Sequence, residues 1–184
     1  MAGDYRNRSG GVYALTTFAS ILPGHVDEVQ AYIDNLPLGE ESPLARLDQL
    51  HASRIQIFRE LVDQEGGHDV DKLEAPQLVF TSSIDGDLDA YLDAIAERVP
   101  EADNWWGHCV GYPGRSDKAA FRKWVKDHKI NTQLFANAYH GATVQDVKRA
   151  LRLREDLVEF AAEAHGLDAA ALQERFLTTF GGAR

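Results

Sequence analysis

Apolar positions recur along this chain with two different periods, and the changes of period mark out its elements. Val12 to Ile21 is rich in β-branched and aromatic residues and lies between Gly10-Gly11 and Pro23-Gly24, which predicts a strand closed at both ends by turns. From His25 to Leu36 the period lengthens. Val26, Val29, Ile33 and Leu36 share one helical face, Asp27 and Glu28 occupy the first turn where the dipole favours carboxylates, and Pro37 ends the run. Residues 38–50 read as a loop with an apolar stretch around Leu44 and Leu47. Ser53 to Ile57 then alternates polar and apolar residues, the mark of a half-buried strand. Gly66-Gly67-His68 opens a polar loop that runs to Pro76.

Gln77 to Ile84 is the third strand, closed by Asp85-Gly86. Leu88, Tyr91, Leu92, Ile95 and Val99 follow at helical spacing as far as Pro100. The stretch from Asn104 to Gly114 is irregular and aromatic, and a short basic helix after it carries Phe121, Trp124 and Val125 on one face. Thr132 to Tyr139 reads as the last strand. Thr143-Val-Gln-Asp146 resembles a capping box and opens a helix that stops at Gly166; a final helix runs from Asp168 to about Phe180. With the basic helix set aside, the order is β-α-β-β-α-β followed by C-terminal helices. That order predicts an α+β fold, a ferredoxin-like sandwich, in a single domain over residues 11–184 behind a flexible polar leader at 1–10. An open sheet with helices on one face leaves its other face uncovered, which predicts a homodimer.

Composition narrows the function classes. The chain has 184 residues, 44% apolar and 26% charged, enough to bury a core without disulfides or metals. Nineteen Lys and Arg against 29 Asp and Glu give a formal charge of −10, which argues against nucleic-acid partners and anionic membrane surfaces. The basic run Arg115, Lys118, Arg122, Lys123, Lys126 and Lys129 is interrupted by Asp117 and Asp127, and reads as a solvated helix face that pairs with the acidic helix at 85–103. The single cysteine, Cys109, excludes an internal disulfide and fits a cytoplasmic location. No apolar run approaches the ~20 residues of a membrane span.

Four segments carry a likeness to known proteins: Leu50-His-Ala-Ser-Arg-Ile-Gln-Ile57, Gln77-Leu-Val-Phe-Thr-Ser-Ser-Ile-Asp-Gly86, Trp105-Trp-Gly-His-Cys-Val-Gly-Tyr-Pro-Gly114 and Phe135-Ala-Asn-Ala-Tyr139. In these the chain resembles the dimeric α/β-barrel superfamily. Dye-decolorising peroxidases, chlorite-dismutase-like haem proteins and cofactor-free antibiotic-biosynthesis-type monooxygenases belong to it. The resemblance implies two ferredoxin-like units that pair their sheets around a ligand cavity, with haem as a candidate cofactor. It transfers no peroxidase residue: Ser82 stands where the Gly-x-x-Asp-Gly segment of the dye-decolorising enzymes has its first glycine.

The candidate chemistry is sparse. No two of the seven histidines lie at the i, i+4 spacing of a helical metal pair, so no metal site is expected. His25, His68, His128 and His165 read as structural or solvated. His51, His108 and His140 are candidate catalytic groups, because a neutral imidazole both ligates iron and titrates near neutrality; each also reads as a hydrogen-bonded histidine at an element end. Arg54 shares a strand face with Gln56 and Phe58 and suits a carboxylate or haem propionate; a salt bridge to Asp87, Asp89 or Asp93 is the plainer reading. Tyr139 completes the catalytic candidates, and Trp105, Trp106 and Asn137 are the candidate ligand-binding residues. His51 and Tyr139-His140 are expected at one cavity mouth, with the two tryptophans as its lid. The expectation is an oxidoreductase-like barrel protein acting on or binding an apolar or aromatic small molecule. The alternative is a non-catalytic ligand-binding or assembly module.

Overall fold

The computed structural model describes residues 4–61 and 73–181, so the loop around Gly66 and His68 lies outside the described residues. Among them four antiparallel strands form one open sheet, accompanied by six α-helices. The chain divides into two compact units, Met1–Val144 and Gln145–Arg184.

In the first unit, a short strand β1 (Arg8–Ser9) turns through Gly10-Gly11 into β2 (Val12–Ser20). Gly10 has φ +64°, the left-handed conformation that so tight a hairpin needs and that glycine adopts without steric cost. Helix α1 (Val26–Asp34) follows, then β3 (Leu50–Phe58) and β4 (Gln77–Asp85). The spatial order is β1-β2-β4-β3, with Thr17 opposite Phe80 and Arg54 opposite Thr81. Helix α2 (Leu88–Arg98) starts on Asp87, whose carboxylate accepts the Asp89 and Ala90 N–H groups at 2.8 and 3.2 Å. A one-turn helix α3 (Ala102–Trp106) and the basic α4 (Lys118–Asp127) complete the layer. The pairing read from the charges is present: Lys118 meets Glu97, Arg122 meets Asp93 at 3.0 Å, and Lys126 meets Asp89.

One face of the sheet carries the core. Tyr13, Leu15 and Ala19 of β2 and Leu78, Phe80 and Ile84 of β4 pack with Val29, Leu92, Ile95, Trp105, Trp106 and Phe121 in a single cluster. Leu44 and Leu47, from the loop at 38–50, join it.

The strand expected over Thr132–Tyr139 does not form, and the reason is geometric. Its place beside β2 is already taken by three shorter pieces. Arg8–Ser9 pairs with the start of β2, Lys129 bridges Thr17, and Cys109 bridges Ile21. His128 and Ile130 each add a backbone bond to β2, at 3.0 and 2.8 Å, and at the far end Val110 bonds Ser20 while His108 bonds Leu22 just beyond the strand. These pieces cap an edge that would otherwise invite another chain. Residues 131–137 run beside the N-terminal segment instead, held by side chains. Buried Asn7 accepts the Thr132 N–H at 2.6 Å, and Ser9 Oγ accepts that of Asn137 at 3.3 Å. Residues 4–9, expected as part of a leader, are thus a short 3-10 turn and an edge strand of the fold.

The second unit is a helical hairpin. Helix α5 (Val144–Glu163) begins at its boundary and α6 (Ala169–Phe180) follows the turn at Gly166. Asp168 caps α6 through Ala170 and Ala171, and Phe160 packs edge-on against Phe176 and Phe180, which are tilted to each other, with centroids 5.2–5.9 Å apart. None of the helices among the described residues is long and apolar enough to cross a membrane.

Candidate functional site

Strand alternation sends Ala14, Thr16 and Phe18 of β2, Val79, Thr81 and Ser83 of β4, and Ala52, Arg54 and Phe58 of β3 to the face opposite the core. Small residues gather at one end of that face and leave a cleft of about 360 Å³. Its floor includes Ala14, Thr16, Ala52, Arg54, Thr81 and Ser83, and Thr132 and Phe135 reach over it from the segment that Asn7 holds. The failed strand therefore becomes a wall. Arg54 is exposed, and among the described residues it makes no ion pair. The acids expected to neutralise it are engaged elsewhere: Asp87 caps α2, Asp89 meets Lys126 and Asp93 meets Arg122. What the cleft offers is a row of hydroxyls, one unspent guanidinium and one aromatic ring. That set can orient an anion-bearing ligand bidentately.

Past the cleft, the same face turns apolar. Phe18 of β2 and Phe58 of β3 stack with centroids 6.3 Å apart, and the two residues stay about 40% exposed (38% and 43%).

The structure distributes the other residues singled out from the sequence. His51 sits at a β-bulge opening β3, where its Nε2 meets Asp85 at 2.7 Å, and the other oxygen of Asp85 accepts the Val144 N–H at 2.7 Å. His51 thus joins a strand-end hydrogen-bond network. His140 lies beside Gly10, whose absent Cβ would come 3.5 Å from its ring, so His140 and His51 do share one end of the sheet. Asn137 accepts the Tyr139 N–H at 3.1 Å and shapes the turn, which leaves Tyr139 75% exposed. Trp105 and Trp106 are fully buried. Trp106 meets Phe80 at 5.1 Å, Phe121 at 5.7 Å and Trp124 at 6.0 Å, on the core side of the sheet rather than over a cavity mouth. Of the eight residues, Arg54 alone lines the cleft.

His108 is at the opposite end of β2, about ten residues or ~33 Å along the strand direction from Val12. There it joins two groups that sequence spacing passed over. His25 Nδ1 lies 3.1 Å from one oxygen of Glu28, His108 Nε2 lies 3.4 Å from the other, and the two imidazoles stack with centroids 4.3 Å apart. The hydrogen bond from His25 is the largest influence holding the Glu28 carboxyl below its ordinary range, followed by the charge of His108. The only sequence signal was His25 three residues before Glu28 at a helix start; His108 is brought in by tertiary pairing. Next to it, burial pushes the Cys109 thiol up to about 12, so at neutral pH it is no nucleophile.

Fold and cleft together define an α+β protein whose first unit is an open antiparallel sheet with its own helices on one face and a polar recess on the other. No protein-family model, curated protein or solved structure matches the chain.

Proposed function

We propose that the cleft on the uncovered sheet face binds a small organic anion, with Arg54 taking the acidic group and Phe135 lying against the apolar part. The observation that carries this reading is the Arg54 guanidinium, which makes no ion pair among the described residues, set among Thr16, Thr81 and Ser83. Between an oxidoreductase and a ligand-binding module, the lining favours the second. Hydroxyls and a guanidinium bind and orient, but none of them exchanges protons near neutral pH, as general acid–base chemistry requires. No histidine, cysteine or tyrosine of the described lining is placed to ligate a haem iron, so haem forms no part of this proposal.

The proposal includes the ferredoxin-like topology and the dimer. The three long strands and α1 and α2 follow that fold's order, with the fourth strand reduced to the Lys129 bridge. A second copy laid on the Phe18–Phe58 end would cover exposed apolar rings and close the cleft into a cavity. An anionic aromatic dye such as anilinonaphthalene sulfonate tests the site. Saturable fluorescence enhancement is expected, weakened about tenfold by Arg54→Gln, the loss of one charge-assisted pair. Equal affinity in the variant would remove the cleft from consideration.

A further inference from the structure

We propose that His25, Glu28 and His108 form a site for one divalent transition-metal ion of the zinc type, at the end of β2 opposite the His51 and His140 end and apart from the anion cleft. Two imidazole nitrogens and one carboxylate oxygen are the borderline donor set that such ions favour over calcium or magnesium.

The spacing suits it. Metal–ligand bonds of about 2.0–2.1 Å in a tetrahedral centre place donor atoms about 3.4 Å apart. His25 Nδ1 is already 3.1 Å from one Glu28 oxygen and His108 Nε2 3.4 Å from the other, and one donor atom from each of the three residues lies within 4.8 Å of the other two. Closing the remaining gap asks the two rings to swing out of their 4.3 Å stack so that both nitrogens face the ion, and the His25 and His108 side chains, 42% and 30% exposed, have solvent on one side to turn into.

The scaffold behind the donors is rigid. Leu22 donates its N–H to the His108 carbonyl at 2.8 Å and accepts the His25 N–H on its own carbonyl at 3.2 Å, so both histidines hang from one residue. That residue follows Ile21, which is fully buried and bridged to Cys109. Glu28 is fixed in register by the first turn of α1, where Val29 N–H meets the His25 carbonyl at 3.0 Å. Such preorganisation lowers the ordering cost of binding. The positive end of α1 opposes a cation, and the Glu28 carboxylate sits in that first turn to offset it. Asp27 also lies there, but Arg59 holds it at 2.7 Å. The exposure of Glu28 leaves the outer side of the ion to water, an open coordination sphere with three protein ligands.

Zinc titration of the full chain against a chromophoric chelator tests the site. One equivalent is expected, with His25→Ala, His108→Ala and Glu28→Gln each weakening affinity at least tenfold and His165→Ala leaving it unchanged. Circular dichroism of each variant shows whether it is folded. Zinc should also raise the melting temperature of the parent and not of Glu28→Gln, whose altered group is at the surface. Two results would overturn the proposal: one-equivalent binding that survives the His25→Ala/His108→Ala double substitution, or no binding by the parent up to millimolar zinc. Either would mark the three residues as a hydrogen-bonded triplet only.

Discussion

The sheet face that carries Tyr13, Leu15, Phe80 and Ile84 and the face that carries Ala14, Thr16, Thr81 and Ser83 alternate residue by residue along the same strands, yet they do opposite work. On the first, large side chains meet helices and every named residue is buried. On the second, side chains are small and hydroxylated, and the space they leave is the cleft. The difference shows how a strand separates a packed surface from an accessible one: period two lets one residue in each pair hold the core while its neighbour stays open to solvent. Stability should therefore respond to substitutions on the first face, and ligand and assembly to those on the second.

The largest effect is expected where the core is most aromatic. Trp106→Ala removes a fully buried ring packed on Phe80, Trp105, Phe121 and Trp124, and should cost about 3–5 kcal/mol in denaturant unfolding. Arg54→Ala, on the other face, should stay within about 0.5 kcal/mol of the parent. Comparable losses from the two would break the contrast. Asn7→Ala comes next. It strips the acceptor from the Thr132 N–H and should cost about 1–3 kcal/mol, with faster hydrogen exchange across residues 131–137, the wall of the cleft. Protection there equal to the parent's would mean that the wall stands without Asn7.

Phe18→Asp and Phe58→Asp sharpen the comparison from the open side. Light scattering should show the parent as a dimer and both variants as folded monomers, with monomer stability changed by less than about 1 kcal/mol. A parent that remains monomeric at micromolar concentration removes the second copy from the picture. The smallest effect belongs to Arg46 and Glu101, paired through two bonds at 2.8 and 2.9 Å. Arg46 hydrogen-bonds the Glu101 carboxyl and holds it below its ordinary value, so this contribution exists above the unfolded-state pKa and is lost as pH falls through the folded one. Glu101→Gln should thus be slightly less stable at neutral pH and match the parent in acid, read from paired melts. A gap that persists at low pH would assign the effect to packing.

Much of the α+β architecture was legible because it rests on local rules. The 3.6-residue spacing of Leu88, Tyr91, Leu92 and Ile95 and the capping Asp87 mark α2 without reference to the rest of the chain. The alternation of Ser53, Ile55 and Ile57 with Arg54, Gln56 and Phe58 sorts β3 between the two faces. The candidate site was legible only at Arg54, whose face follows from that alternation. Trp105 and Trp106 misled because an aromatic pair reads alike as a ligand platform or as core, and only packing against Phe80 and Phe121 separates the two.

By itself, the sequence determined β2, β3, β4, α1 and α2 and their order, since each depends on residues within a turn or two of one another, and its composition set the sign of the net charge. Tertiary structure alone decided which segment occupies the edge beside β2. Thr132–Tyr139 has strand-forming residues, but Arg8–Ser9, Lys129 and Cys109 take the backbone groups it would need. It likewise decided that His108 meets His25 and Glu28 across some 80 positions of sequence. Pairing of that kind depends on which chain reaches a limited set of hydrogen-bonding groups first in space, and no local pattern of residues records it.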